Sequence, residues 1–354
     1  MIELKNDRLV FSFPEVHPKA TLRVQFQRTL RIPDDGRDYP LPPGLGEFPL
    51  RHVDDFHERV PDRWLQHGGV MLPMYQSEAM WLNFSTSYID DQGSYPFAIK
   101  IATGKSNAVS GGQWSEDLDR RPQDYVVAPK QPWLDGYCVE KGVIRQFVAM
   151  PLGAGYTAEE QLTGEAEHGG LQIMAYPMKR EIFEERFPKH EDFDTGVFLA
   201  RDGDVRLCIP TASMDMGLAP GGRMRQEIYD DPYILSDWDT RHTSRCFVHI
   251  ANSLVWRSVT GRRPPTAPPT AADYSRRGLP WFDYYDDGAS ALPGSGLLKQ
   301  LKSVVQLGKE KGDVPLPENE STPANKVIKY RKGLQPGQVR GGRGLGGICP
   351  APAG

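Results

Sequence analysis

The stretch Thr21-Leu-Arg-Val-Gln-Phe-Gln-Arg-Thr-Leu-Arg-Ile32 decides the fold. Leu22, Val24, Phe26, Leu30 and Ile32 alternate with Arg23, Gln25, Gln27, Thr29 and Arg31. A period of two sends the apolar set to one face of a strand and the polar set to the other. The stretch therefore predicts a long, half-buried strand, which Asp34-Asp35-Gly36 ends with turn chemistry. Upstream, Leu9, Phe11 and Phe13 predict a shorter strand, so the chain is expected to open with two antiparallel strands.

Downstream, residues 37–50 are too rich in Pro and Gly for a regular helix and read as an extended loop lying on the core, and residues 51–67 include a short helical turn. Strand-like runs recur at Ala79–Phe84, Phe97–Ala102, Val143–Met150, Leu171–Tyr176, Val197–Ala200 and Val205–Ile209. Asp202-Gly203 between the last two is a two-residue hairpin signal. Helices are few. Thr157-Ala-Glu-Glu160 reads as a capping box before a short helix that Gly164 stops, and Thr270-Ala-Ala-Asp273 repeats the signature, with Gly278 closing its helix. Ser295 to Leu307 carries Leu297, Leu298, Leu301, Val304 and Val305 as one helical stripe, with Gly308 as its cap. From Lys309 apolar periodicity ends. Residues 309–354 read as a flexible basic tail carrying Lys326, Lys329, Arg331, Lys332, Arg340 and Arg343, behind a single β-rich domain at 1–308.

Composition agrees. The 36 glycines and 31 prolines in 354 residues exceed the usual combined share of about 12% and demand many turns. The expected class is mainly β (β-dominated α+β): an antiparallel β-sandwich or jelly-roll-like body with few short helices. No βαβ alternation supports a doubly wound nucleotide-binding sheet. A net charge of −4 gives the whole chain no bias toward nucleic acid or anionic membrane. The first residues lack a secretory pattern, and no run of about 18 apolar residues predicts a membrane span. Cys138, Cys208, Cys246 and Cys349 form no CxxC pair, which suits reduced thiols and a cytoplasmic location.

Several constellations could carry chemistry, and each also has a plain structural reading. His52, Asp54 and His57, with Glu58 beside them and His67 ten residues on, bring imidazoles and carboxylates near one another and are candidates for a divalent metal, or else a polar surface turn. His242, Cys246 and His249 would face one way on a helix and form a second metal set. The β-rich run Arg245-Cys-Phe-Val-His-Ile-Ala251 instead predicts a strand with Cys246 and His249 on opposite faces, and a helix starting at Ser253. Glu165, Glu167 and His168 place carboxylates beside an imidazole in a loop, the raw material of general acid–base catalysis or a solvated loop. Gly221, Gly222, Arg223 and Arg225 belong to a glycine-rich segment that could cradle an anion, or to a turn with surface arginines. Trp133 and Trp281-Phe-Asp-Tyr-Tyr285 offer aromatic rings for a sugar or peptide, or a latch of irregular chain on the core. Arg340-Gly-Gly-Arg343 in the tail could touch RNA or acidic partners weakly.

Three segments, RTLRIPDDGRDYPLPPGLG at 28–46, RQFVAMPLGAGYTAEEQLTG at 145–164 and GLPWFDYYDD at 278–287, resemble blocks of an uncharacterised bacterial protein family. The resemblance spans most of residues 20–290 and implies one continuous unit. It brings no activity, cofactor or site residue with it. On these grounds the leading expectation is a non-catalytic binding or assembly protein that meets a protein partner or a second copy of itself. The alternatives are a metal-assisted enzyme with a divalent metal as cofactor, and a tail-mediated tether to nucleic acid or acidic partners.

Overall fold

Alternation of apolar residues, not helix propensity, organises the chain. The computed structural model describes residues 1–188, 214–285, 289–313 and 320–331. Its principal strands are β1 (Ile2–Lys5), β2 (Arg8–Ser12), β3 (Thr21–Thr29), β4 (Val70–Met74), β5 (Ala79–Thr86), β6 (Phe97–Thr103), β7 (Val143–Pro151), β8 (Leu171–Pro177), β9 (Asp215–Arg225), β10 (Ser244–Asn252), β11 (Trp281–Tyr285) and β12 (Val327–Arg331). The first ten belong to one large, mainly antiparallel sheet. The molecule is β-dominated, as its alternation predicts.

Register fixes which residues share a face. Val24 pairs with Phe84 and Phe26 with Leu82 across β3 and β5. Met80 then pairs with Phe147 of β7, and Val148 with Ala219 of β9. Met216 pairs with Ile250 of β10, Cys246 with Ile173 of β8, and Ile173 with Ile101 of β6. β4 joins the free edge of β10 in parallel, Val70 opposite Val248. One face of these strands feeds a single core that holds Leu22, Val24, Phe26, Leu82, Phe147, Leu218, Val248, Ile173 and Ile101. Phe13, just past β2, lies 5.7 Å from Phe97 at the start of β6. The two ends of the strand order therefore meet, and the sheet curls around its core.

The other face is covered in two places. α7 (Val304–Lys311) lays Val304 and Leu307 on Ala79, Val148, Met150 and Ala219. α1 (Asp62–His67) and α4 (Ser253–Thr260) place Trp64, Trp256 and Val259 on Met71 and Ala251. β10 and α4 match the expectation of a strand through Arg245–Ala251 and a helix from Ser253, with Asn252 accepting from the Leu254 N–H as the cap. α2 (Ala158–Thr163) has the expected capping box at Thr157 and Glu160 and ends at Gly164. α3 is Arg180–Arg186 and α5 is Ala271–Arg276, whose cap is Thr270.

Five expectations need correcting. The chain opens with three strands, because Ile2–Lys5 pairs with β2. The polar face of β3 is solvated only in part: Arg23 is exposed, but Gln25 and Thr29, and Arg31 just past the strand, are buried, as is Arg28 on the other face. The segment Gly44–Glu47 pairs onto β3, and Arg28 reaches the carbonyl of Thr266 in the proline-rich strap. The helix expected over Ser295–Leu307 is two helices, α6 (Gly296–Lys299) and α7. A second capping box at Ser303 and Gln306 starts α7 afresh, so Gly308 is internal and Gly312 is the cap.

Part of the segment expected as a tail is structured: Lys309–Lys311 complete α7, whereas 314–319 and 332–354 lie outside the described residues. The segment also supplies β12, which runs parallel to β11 with Trp281 opposite Val327. Finally, Gly217–Arg225 is no turn but part of β9. A Cβ at Gly221 would stand 2.5 Å from Val148 Cγ2, and one at Gly222 would stand 2.4 Å from the Pro33 carbonyl. These glycines make room for neighbours across the sheet. The strands expected at 197–200 and 205–209, and the Asp202-Gly203 hairpin, lie outside the described residues.

Candidate functional site

The strongest grouping of ionisable and aromatic side chains forms on the outer face of β10. Alternation points Cys246, Val248 and Ile250 into the core and leaves Phe247 and His249 on the opposite face. α1 lies over that face and presents Trp64 and His67, which are neighbours because they are three residues apart on a helix. Two glycines allow the close approach. A Cβ at Gly69 would sit 2.2 Å from the Phe247 carbonyl, and one at Gly170 would sit 2.4 Å from the Val248 carbonyl; both residues have positive φ.

The rings stack. Trp64 covers His249 with centroids 4.8 Å apart and planes 20° apart. His67 lies 4.6 Å from Phe247 and 5.0 Å from His168, which the loop after α2 brings in. His67 and His249 are 6.3 Å apart. The Arg245 guanidinium lies over Phe247 at 5.0 Å.

Polar groups pin this arrangement. The Trp64 Nε1–H donates to Asp215 Oδ2 at 3.1 Å, and Arg63 pairs with the same oxygen. His249 Nε2–H donates to the Gly68 carbonyl at 3.0 Å, which fixes its neutral tautomer. Glu159 accepts the backbone N–H groups of His168 and Gly169 at 3.2 and 2.8 Å, and so anchors the loop. His168 Nδ1 lies 3.4 Å from Glu159 Oε1 without a hydrogen bond, and Asp215 Oδ1 is likewise buried without a partner.

Burial dominates the electrostatics. It holds His67 and His168 below the usual imidazole range, helped by Arg245 and Arg63 at His67 and by His67 and Lys105 at His168. It presses the nearly inaccessible His249 down to about 4. The same loss of water pushes the carboxyls of Asp215 and Glu159 up, against the pull of Arg63 on the first and backbone donors on the second. At neutral pH the site therefore presents three uncharged imidazoles.

The residues singled out from sequence fall as follows. His168 joins the stack, whereas Glu165 and Glu167 are exposed and pair with Lys105. His52, Asp54 and His57 are exposed along the approach to α1 and do not converge. His242 Nδ1 is 3.0 Å from Asp239 Oδ2. Cys246 faces the core, its thiol pushed up to about 12 by burial, while His249 faces outward, so that set does not meet. Among the described residues no three His, Cys, Asp or Glu side chains gather as a metal ion would require. Arg223 is held by Asp38 and Glu140 at 2.7 and 3.1 Å, and Arg225 by Asp283 at 2.9 Å, which leaves the expected anion cradle without its grip. Trp281 is fully buried and donates to Ser275 Oγ at 3.1 Å, as a latch does. Arg340 and Arg343 lie outside the described residues.

Sequence reasoning missed Arg63, Trp64, Glu159, Asp215 and Phe247. The available signals were the Trp-x-x-His spacing at 64–67 and the Phe-x-His spacing at 247–249, each the repeat of its own element. Comparison with protein-family models, with characterised proteins and with solved structures found no match.

Proposed function

We propose that this chain is a non-catalytic binding or assembly protein. The observation that supports it is that the groups best suited to chemistry are spent on holding the chain together. Glu159 anchors a loop, His249 fixes a helix end, and Arg223 and Arg225 bridge strands to carboxylates. Both described cysteines are free and buried, with thiols pushed up to about 12 and therefore poor nucleophiles. Free thiols also support a reducing compartment such as the cytoplasm. Among the described residues no helix is long and apolar enough to cross a membrane.

Ile234 and Leu235, adjacent in sequence, are 56% and 40% exposed, and this pair is where the proposed contact with a second copy of the chain is tested. Sedimentation velocity across a range of concentrations tests this. The expected result is a concentration-dependent larger species that a double Ile234→Asp, Leu235→Asp variant loses. A monomer at every concentration overturns the assembly reading.

A second reading rests on His168, whose ring is 20% exposed and has a buried, unpartnered Nδ1 beside Glu159. Such an imidazole suits proton transfer. A hydrolytic turnover by the wild type, lost at least tenfold in His168→Ala, would favour that reading over the first.

A further inference from the structure

α1 is held on the face of β10 by ring stacking and one hydrogen bond. Trp64 lies on His249, His67 is sandwiched between Phe247 and His168, and the Gly68 carbonyl at the end of α1 takes its hydrogen bond from His249.

The charges that face these rings come from every element packed against them. Arg63 is on α1, Arg245 on β10 and Lys105 beside the loop of His168; all three are cations. The nearby anions are already engaged. Asp215 of β9 holds Arg63, Glu159 of α2 holds backbone N–H groups, Glu165 and Glu167 hold Lys105, and Glu116 holds Arg245 at 2.9 Å. Added protons would therefore place two or three imidazolium rings about 5–6 Å apart among three cations; of the rings, His168 alone has carboxylates close by, Glu159 at 3.4 Å and Glu167 at 3.7 Å, so the repulsion falls on His67 and His249.

We propose that the Trp64–His249–His67–His168 stack is an acid-sensitive latch: neutral imidazoles hold α1 on the sheet, and protonation drives the helix off. Asp215 acts in the opposite direction, because burial raises its carboxyl and protonation there favours the docked state. Release uncovers Trp64, Phe247 and Met71, an apolar face hidden at neutral pH. The core between the curled ends of the sheet has no part in the stack and stays closed. This inference does not depend on the binding role proposed above.

Hydrogen–deuterium exchange on the full chain, corrected for the intrinsic effect of pH, tests it. Between about pH 7.5 and about pH 5, protection of residues 60–70 should fall at least tenfold while that of β3 holds. His67→Phe keeps a ring in the stack but cannot be charged, and His249→Gln keeps an N–H for Gly68. Each should move the midpoint of release to lower pH. If His249→Gln does not fold, His67→Phe decides alone. Protection of 60–70 that is constant with pH, that is lost only together with β3, or whose midpoint is unmoved in the folded variants overturns the latch.

Discussion

The indole of Trp64 lies flat on the imidazole of His249, 4.8 Å away, and each ring's N–H is committed elsewhere: Trp64 to Asp215, His249 to the carbonyl of Gly68. One buried pair thus ties a helix, two strands and a helix end together. Removing the imidazole should be costly. His249→Ala leaves a void and an unsatisfied carbonyl, and we expect a loss of about 2–4 kcal/mol in urea unfolding. A loss below about 1 kcal/mol would mean that the contact contributes little.

The same imidazole sets a pH dependence for the whole fold. His249 is held at about 4 in the folded chain, against 6.5 when free. Above 6.5 the ring is neutral in both states and pH changes nothing. Between 6.5 and 4 only the unfolded chain takes up the proton, so stability falls as pH falls, by about 3 kcal/mol in all. His67 and His168, also lowered, act in the same direction. The raised carboxyls of Asp215, Glu159 and Glu78 oppose them, because protonation relieves their burial. The histidine part is isolated by comparing wild type with His249→Gln. Urea midpoints should converge as pH falls from about 7 to about 5, and parallel curves would contradict the assignment.

Gly222→Ala distinguishes a strand from a surface turn. In β9 the added methyl would meet the Pro33 carbonyl at 2.4 Å, a backbone atom that cannot swing away. We expect a loss of about 1–3 kcal/mol, read from thermal or urea unfolding. An exposed turn would accept the same methyl within about 0.5 kcal/mol.

What could be read in advance follows from distance along the chain. The Thr157–Glu160 capping box was legible because its partners are three residues apart. The inward face of β3 was legible because alternation is a local pattern. The burial of Arg28 was not, since its partners Glu78 and Thr266 lie 50 and 238 residues away. The stack was hidden for the same reason: Gly68 and His249 are 181 residues apart, and α1 has too few turns to announce its apolar side. The Ser295–Leu307 helix was misjudged because a leucine stripe continued across a cap that restarts the helix at Ser303. β12 escaped notice because five residues between prolines and lysines show no pattern until Trp281–Tyr285 is there to pair with.

Arg28 and Glu78 form an ion pair 2.7 Å long, with the side chains 9% and 1% exposed. Burial pushes the Glu78 carboxyl up, against the pull of Arg28. Removing one partner strands a charge where water cannot reach it, so Arg28→Met should cost about 3–5 kcal/mol. Replacing both, as Arg28→Met with Glu78→Leu, should recover much of that loss. A double variant as unstable as the single one would show that the pair is needed for its hydrogen bonds to the Tyr75 N–H and the Thr266 carbonyl.

The region after Gly308 offers a direct test of whether it belongs to the fold. A chain ending there loses the last turn of α7 and its Gly312 cap. It also loses Lys311, whose ammonium lies 4.2 Å from the centre of the Tyr156 ring, and Asp313, which accepts from the Tyr156 hydroxyl. The cut further removes Ser321, which donates to Asp35, and β12, the parallel partner of β11. Trp281 then keeps its place in the core while its strand loses a row of backbone partners. Each lost contact is modest, a cap costing about 1 kcal/mol and a cation–π contact about 0.5–1 kcal/mol. For a chain of this size each kcal/mol lowers Tm by roughly 2–4 °C. Calorimetry should therefore find the shortened chain several degrees less stable than the full one, because α7 and β12 close the outer face and extend β11. An unchanged Tm would return the whole segment to the role of a dispensable tail.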